Sequence, residues 1–289
     1  GDATEGTETP EEEETPSPQS LSEGEEQEDG SLKVSFGAAS SGYNCNFTGS
    51  GYPLISYTDQ WAEAFVGTDG FFSSTEYKGI KVTAAEANAN VKVKIIGYNG
   101  DTAVTNDETS LYAPLSETTI TKNFADFGDT EVTKVKITLQ SAEANQDVAI
   151  TGVSLIKSDD TEESVKLNIN WGCVLYYFTG NVSFTGQYGA VVAKASGVKL
   201  SDYKGVKIEL EDEIAADLLQ FTVAYNGYTE DEYGNPVPTG YSGITGKESS
   251  MTFDTAKTTV EEIRVQYKGT AATTEAPFNV KIKGIYLTK

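Results

Sequence analysis

The chain has 289 residues and carries 44 acidic against 21 basic side chains, a formal charge of −23, with no histidine. That charge argues against nucleic acid and against an anionic membrane surface as partners, because phosphate groups are bound by a positive footprint. Without imidazole, Ser–His and Cys–His nucleophile pairs and imidazole-ligated zinc sites cannot be built.

Residues 1–30 hold twelve of the acids and no base, with Pro10, Pro16 and Pro18 among glutamate, Ser, Thr and Gly. Leu21 is the one sizeable apolar side chain. Such a segment cannot bury enough surface to offset its ordering entropy, so 1–30 is expected to be a disordered, charge-extended acidic tail. The chain opens on Gly1 and its single methionine is Met251, which reads as a start other than the start of translation. If a lipidated cysteine preceded Asp2, the tail would be the spacer between a membrane anchor and the folded part. No run reads as a transmembrane helix or as a signal peptide.

From Ser31 onward apolar residues alternate. Leu32, Val34 and Phe36 share one phase; Val135, Ile137 and Leu139 alternate with Lys136 and Thr138; Ile263, Val265 and Tyr267 alternate with Arg264 and Gln266. Period two in short segments rich in Val, Ile, Tyr and Thr, broken by Gly, Asn and Asp, predicts half-buried strands and an all-β, antiparallel β-sandwich architecture. Thr83–Asn90 is the best helical segment, but it lacks an apolar stripe, so a turn or two at most is expected there.

The same unit occurs twice. Tyr77-Lys-Gly-Ile-Lys-Val82 returns as Tyr203-Lys-Gly-Val-Lys-Ile208, and Ser56-Tyr-Thr-Asp-Gln-Trp61 as Ser183-Phe-Thr-Gly-Gln-Tyr188. Tyr98-Asn-Gly100 returns as Tyr225-Asn-Gly227, and Ile150-Thr-Gly-Val-Ser-Leu155 as Ile282-Lys-Gly-Ile-Tyr-Leu287. The offset grows from 126 to 132, which places an insertion in the second copy. The expected units are two tandem sandwiches, 31–157 and 165–289, joined at the polar Ser158–Glu163 and each folding by itself. Within the closing strand of both copies the apolar phase slips by one at Gly152 and Gly284, as a β-bulge requires. Before Tyr98 and Tyr225 the phases differ between copies, which fits either a strand buried on both faces or a register shift. Cys45 and Cys173 occupy matching places in separate cores and are expected to be free, buried thiols.

The strand entries at 77–82 and 203–208 and the closing Gly-[Val/Ile]-x-Leu strands at 152–155 and 284–287 resemble carbohydrate-binding modules of the galactose-binding-like jelly-roll group. The acidic, Pro-containing leader before tandem sandwiches is similar to that of glycan-handling surface lipoproteins of Bacteroidetes. The resemblance covers nearly all of 31–289. It implies a jelly-roll topology, an oligo- or polysaccharide ligand, and a place on the extracellular face of the outer membrane, lipid-anchored, or secreted. It marks a fold more than an activity.

A sugar site needs an aromatic ring for the C–H face of a pyranose and amides or carboxylates for its hydroxyls. Gln60 and Trp61, with Gln187 and Tyr188 in the second copy, supply both. So do Tyr98 and Asn99, and Tyr225 and Asn226. The insertion 228–241 adds Tyr228, Tyr233 and Tyr241 among prolines and glycines, where exposed aromatics point to contact. Core packing competes with a ligand role for Trp61, Tyr188 and Trp171, and a capping role at a sandwich edge for Tyr98 and Tyr225. The acidic pairs Glu63 with Asp69 and Asp231 with Glu232 could serve glycoside cleavage, but neither recurs in the other copy. No nucleophile elbow, phosphate loop or dinucleotide fingerprint is present. The reading is a non-catalytic glycan-binding surface protein with no cofactor; its many oxygen ligands would suit structural calcium, but no loop carries the spaced aspartates of an EF-hand. A structural or adhesive protein contacting other surface proteins is the first alternative. An accessory component of a glycoside hydrolase system is the second.

Overall fold

The computed structural model describes residues 24–38, 44–50, 53–67, 73–104, 111–165, 167–169 and 172–289. The described residues are all-β apart from one short 3-10 turn, Phe124–Phe127. In chain order the strands begin with β1 (Glu25–Glu26), β2 (Leu32–Val34), β3 (Phe36–Ala38) and β4 (Cys45–Ser50). There follow β5 (Leu54–Tyr57), β6 (Glu63–Gly67), β7 (Tyr77–Ala84), β8 (Asn88–Asn99), β9 (Thr102–Ala103), β10 (Leu111–Leu115), β11 (Thr119–Asn123), β12 (Lys134–Ser141) and β13 (Gln146–Lys157). Next come β14 (Glu162–Ser164), β15 (Leu167–Ile169), β16 (Cys173–Tyr176), β17 (Thr179–Phe184), β18 (Ala190–Ala193) and β19 (Val198–Lys199). The chain closes with β20 (Gly205–Tyr225), β21 (Gly240–Thr252), β22 (Thr259–Tyr267) and β23 (Phe278–Thr288).

Two sandwiches result. In the first, the sheet β10-β8-β12-β6-β15 faces the sheet β11-β7-β13-β5-β16, with β14 also on β13. In the second, the long strands β20 and β21 run through both layers. The first part of β20 pairs with β23 and the end of β21, its last part with β22 and the start of β21. One layer therefore reads β4-β17-β23-β20-β21 with β2 on β23, and the other β21-β20-β22-β18-β3. Strand for strand, the order repeats that of the first sandwich.

The strand pairing corrects the expected units 31–157 and 165–289. Strands β2, β3 and β4 of the first copy pair with β23, β18 and β17 of the second. Strand β14, at the junction, and strands β15 and β16 of the second copy pair with β13, β6 and β5 of the first. Each copy thus completes the other's sandwich. Val34, Phe36 and Cys45 sit in one core with Val182, Ile208 and Ile285, and Cys173 and Leu175 in the other with Ile55, Ile80 and Ile137. The physical reason is that alternation fixes which face of a strand is buried, not which edge it joins. Duplication makes the two sets of edges near-equivalent. The links from β4 to β5 and from β16 to β17 are three and two residues long. Each is short enough for a hairpin, yet β4 pairs with β17 and β16 with β5, the geometry of a strand swap. At the crossing Phe36 and Tyr177 exchange two backbone hydrogen bonds, of 2.7 and 2.6 Å.

The tail boundary moves as well. Residues 1–23 lie outside the described residues, but 24–30, expected to be disordered, form an ordered hairpin. Glu25 and Glu26 pair with Lys33 and Leu32, and Asp29 accepts from the Ser31 N–H and hydroxyl across the turn. Thr83–Asn90 forms no helix, being the end of β7, a bend and the start of β8. The bulges fall where the phase slips: register shifts at Thr151 in β13 and at Lys283 in β23, each beside the glycine. Cys45 and Cys173 are buried thiols outside any disulfide, as expected, and Cys173 Sγ donates to Glu63 O.

Candidate ligand-binding site

Asp59, Gln60, Trp61 and Ala62 make a four-residue turn closed by Ala62 N–H on Asp59 O, 3.3 Å. Gly186, Gln187, Tyr188 and Gly189 make the same turn, closed at 3.4 Å. In both, the third position has a positive φ, 67° for Trp61 and 69° for Tyr188. Glycine or asparagine normally takes that place, and a bulky side chain there is an outlier. The two rings are nevertheless held out to solvent, 54% and 58% exposed. Core packing, one of the two roles open to these aromatics, is therefore not what they do.

The turns are rigid for a traceable reason. Trp61 N–H donates to Ser141 O at 2.7 Å and Ser141 N–H returns to Ala62 O at 3.1 Å. Tyr188 N–H donates to Tyr267 O at 2.8 Å and Tyr267 N–H returns to Gly189 O at 2.9 Å. Gln60 Nε2 donates to Ala142 O, and Gln187 Nε2 to Lys268 O. The exchanged strands add a third brace. Gly172 O, just before β16, accepts from Thr58 and Asp59, and Asn44 O, just before β4, accepts from Thr185. The contact is so close that one partner must be glycine. A Cβ on Gly189 would lie 2.2 Å from Asn44 O, and one on Gly172 would lie 2.9 Å from Ala62 Cβ. The glycine stands on opposite sides of the same contact in the two sandwiches.

The remaining candidates are elsewhere. Trp61 is bonded to the last residue of β12, whereas Tyr98 pairs with its first, Lys134. At about 3.3 Å per residue the two ends are about 23 Å apart. Tyr98 is half-buried under Lys134 Nζ, 5.8 Å from its ring centroid, and Asn99 Nδ2 donates to Glu131 O. Tyr225 is 3% exposed. It packs edge-on against Phe253, and its hydroxyl accepts from Asp254 N–H at 2.9 Å. Asn226 Oδ1 accepts from Thr258 and Thr259 N–H. The ligand role expected for Tyr225 and Asn226 is thereby corrected: both build the fold. The phase difference also resolves. β8 pairs with β12 without a break up to Tyr98, whereas β20 shifts register against β22 between Ala224 and Tyr225, so the copies differ by a register shift; Phe221 to Tyr225 are in addition all buried. In the first copy the Phe127 ring instead lies over Gly97, where a Cβ would approach to 3.0 Å.

The insertion is an ordered loop held by its own bonds. Asp231 Oδ1 accepts from Tyr233 and Asn235 N–H, which holds its carboxyl below the usual range, and Val237 N–H donates to Thr229 O. That commits Asp231 to a turn rather than to acid–base work with Glu232. Tyr233 at the tip is 80% exposed; Tyr228 and Tyr241 are exposed too, and Tyr241 is tied by its hydroxyl to Pro238 O. On the sheet face away from the core, Tyr241 stands beside Thr222 and Arg264, with the bonded pair Gln220 and Gln266 in the next row. These neighbours join Tyr241 although nothing but the polar phase of the alternation marks them in sequence. Asp69 and Trp171 lie outside the described residues. Among the described residues no three acidic or cysteine side chains converge as metal ligands would, and no helix is long and apolar enough to cross a membrane.

No family model and no curated protein matches the chain. Solved structures similar to the chain at low superposition include the following two. One is the N-terminal CBM22-1–CBM22-2 tandem domain of Paenibacillus barcinonensis Xyn10C, at 8% identity and a TM-score of 0.23, covering 88% of this chain and 97% of that one. The other is a Parabacteroides distasonis protein described as secreted, at 10% identity and a TM-score of 0.21, covering 90% and 98%.

Proposed function

We propose that the protein is a non-catalytic, extracellular glycan-binding protein that presents Trp61 and Tyr188 as stacking platforms. The observation that carries this reading is the pair of exposed rings held at positive φ by matching hydrogen-bond sets. Packing does not need them, and the backbone would be more at ease with glycine. A pyranose stacked on either ring finds Asp59 or the Gln187 side chain on the same turn. The acidic leader serves as a spacer from the cell surface, lipid-anchored if a cysteine precedes it in the full gene; a signal that ends on any other residue removes the anchor.

A glycan array on the whole chain, followed by titration of Trp61→Gly and Tyr188→Gly, tests the proposal. Binding should fall at least about tenfold in one variant and vanish in the double variant. Unchanged affinity in the double variant clears both rings of a ligand role.

A further inference from the structure

The end of the second sandwich remote from Tyr188 holds a cavity of about 560 Å³, within the usual range for a small-molecule site. Tyr188 is bonded to the last residue of β22, and the cavity is lined by its first, Thr259. At about 3.3 Å per residue the two are about 26 Å apart. The floor is apolar, made by Leu200, Tyr203 and the buried Phe253. Around it stand Lys199, Lys204 and Lys257. None of the three pairs with a carboxylate among the described residues, in a chain where acids outnumber bases two to one. A fourth ammonium, on Lys289, lies 5.7 Å from the centroid of the Tyr203 ring. The one acid in the lining, Asp254, accepts from Ala256 N–H within its own turn.

We infer that this cavity binds a saccharide ring that carries a carboxylate, a uronic acid. Three ammonium groups without a carboxylate partner, that of Lys204 resting on Leu200 O at 3.4 Å, concentrate positive potential in a molecule that is otherwise strongly negative, so an anionic group is what the rim selects. The aromatic and aliphatic floor suits the C–H face of a ring, and Thr255 and Thr258 can hydrogen-bond its hydroxyls. Bare phosphate fits less well. Backbone N–H groups that would cradle it are already used: Leu200 donates to Thr258 O, Lys204 to Thr288 O, Phe253 to Lys204 O and Lys257 to Asp254 O. Asn226 holds the Thr258–Thr259 wall in place from behind. The inference rests on the saccharide reading above but on a different site.

The test is calorimetric titration of the whole chain with a trimer of galacturonic acid and with the neutral galactose trimer. The acidic trimer should bind, weaken steeply between about 0.05 M and about 0.5 M salt, and lose at least about tenfold in affinity in Lys204→Gln/Lys257→Gln. Both lysines are exposed, so circular dichroism should show an unchanged fold. Tyr188→Gly should leave this binding alone. Acidic-trimer binding that is absent, or indifferent to the lysine pair, overturns the inference. A sulfated trimer of equal charge that binds as tightly overturns it too, reducing the site to plain charge attraction. Neutral glycan binding that depends on Trp61 or Tyr188, with no acidic-trimer binding, sinks the cavity and spares the turns; lysine-dependent binding indifferent to both rings does the reverse.

Discussion

Lys194, just after β18, places its Nζ 2.5 Å from Asp147 Oδ2 of β13, joining one sandwich to the other. Ser56 of β5 completes the contact, donating to Asp147 Oδ1 and accepting from Lys194, while the ammonium stands over the Tyr176 ring. Both charged side chains are only about a fifth exposed. Lys194→Met leaves a half-buried carboxylate without its cation. It should lower stability by about 1–3 kcal/mol, read by urea unfolding. The Lys194→Met/Asp147→Leu double variant should recover part of the loss.

Strand exchange makes an unusual demand on fragments. Residues 53–176 contain a whole sandwich in one stretch, so this piece should fold alone, with dispersed amide signals and a cooperative melt. Residues 178–289 lack β2, β3 and β4 and should not. Pieces cut by sequence copy, 31–157 and 165–289, each lack three strands of their own core. They should be poorly structured singly and should associate on mixing. Two well-folded, non-interacting pieces from that cut would contradict the pairing described above.

Trp61→Gly and Tyr188→Gly separate function from stability. Each removes a left-handed non-glycine residue whose ring is mostly in water. The melting temperature should hold or rise, by up to about 1 kcal/mol in stability. A loss above about 2 kcal/mol in either would show that the ring packs after all.

Gly189→Ala should behave in the opposite way. The new methyl would meet the backbone oxygen of Asn44, which is held by Thr185 N–H and cannot swing aside. A cost of about 1–3 kcal/mol is expected, together with altered Tyr188 fluorescence as the turn shifts.

Alkaline pH should destabilise the fold. Burial pushes Cys45 from its ordinary 9.0 up to about 12, Tyr176 to about 12, and Tyr57 well above its usual value. Above pH 9 for the cysteine and pH 10 for the tyrosines, the unfolded chain loses these protons while the folded one keeps them. Stability is therefore full below the lower of these and falls as pH rises toward 12, at about 1.4 kcal/mol per pH unit for each group. Cys45→Ala should make the slope shallower by one group's share. For the same reason the Cys45 thiol should resist a disulfide reagent at pH 8 until the chain is unfolded.

The amino-acid order by itself determined the all-β class, the duplication, the inward phase of each strand and the bulges at Gly152 and Gly284. These are local properties: period two, a repeated string and a slipped alternation are written in consecutive residues. It also marked Trp61 and Tyr188 as a matched pair. What the tertiary structure alone decided is which edge each strand joins and which aromatic is left uncovered. β4 could close on β5 or on β17 with the same alternation, and the choice depends on edges more than a hundred residues away. Tyr225 and Tyr188 read alike as loop aromatics. Phe253 and Asp254 close over the first, and none of the described residues closes over the second, because exposure is set by what the rest of the chain brings near and not by the side chain itself.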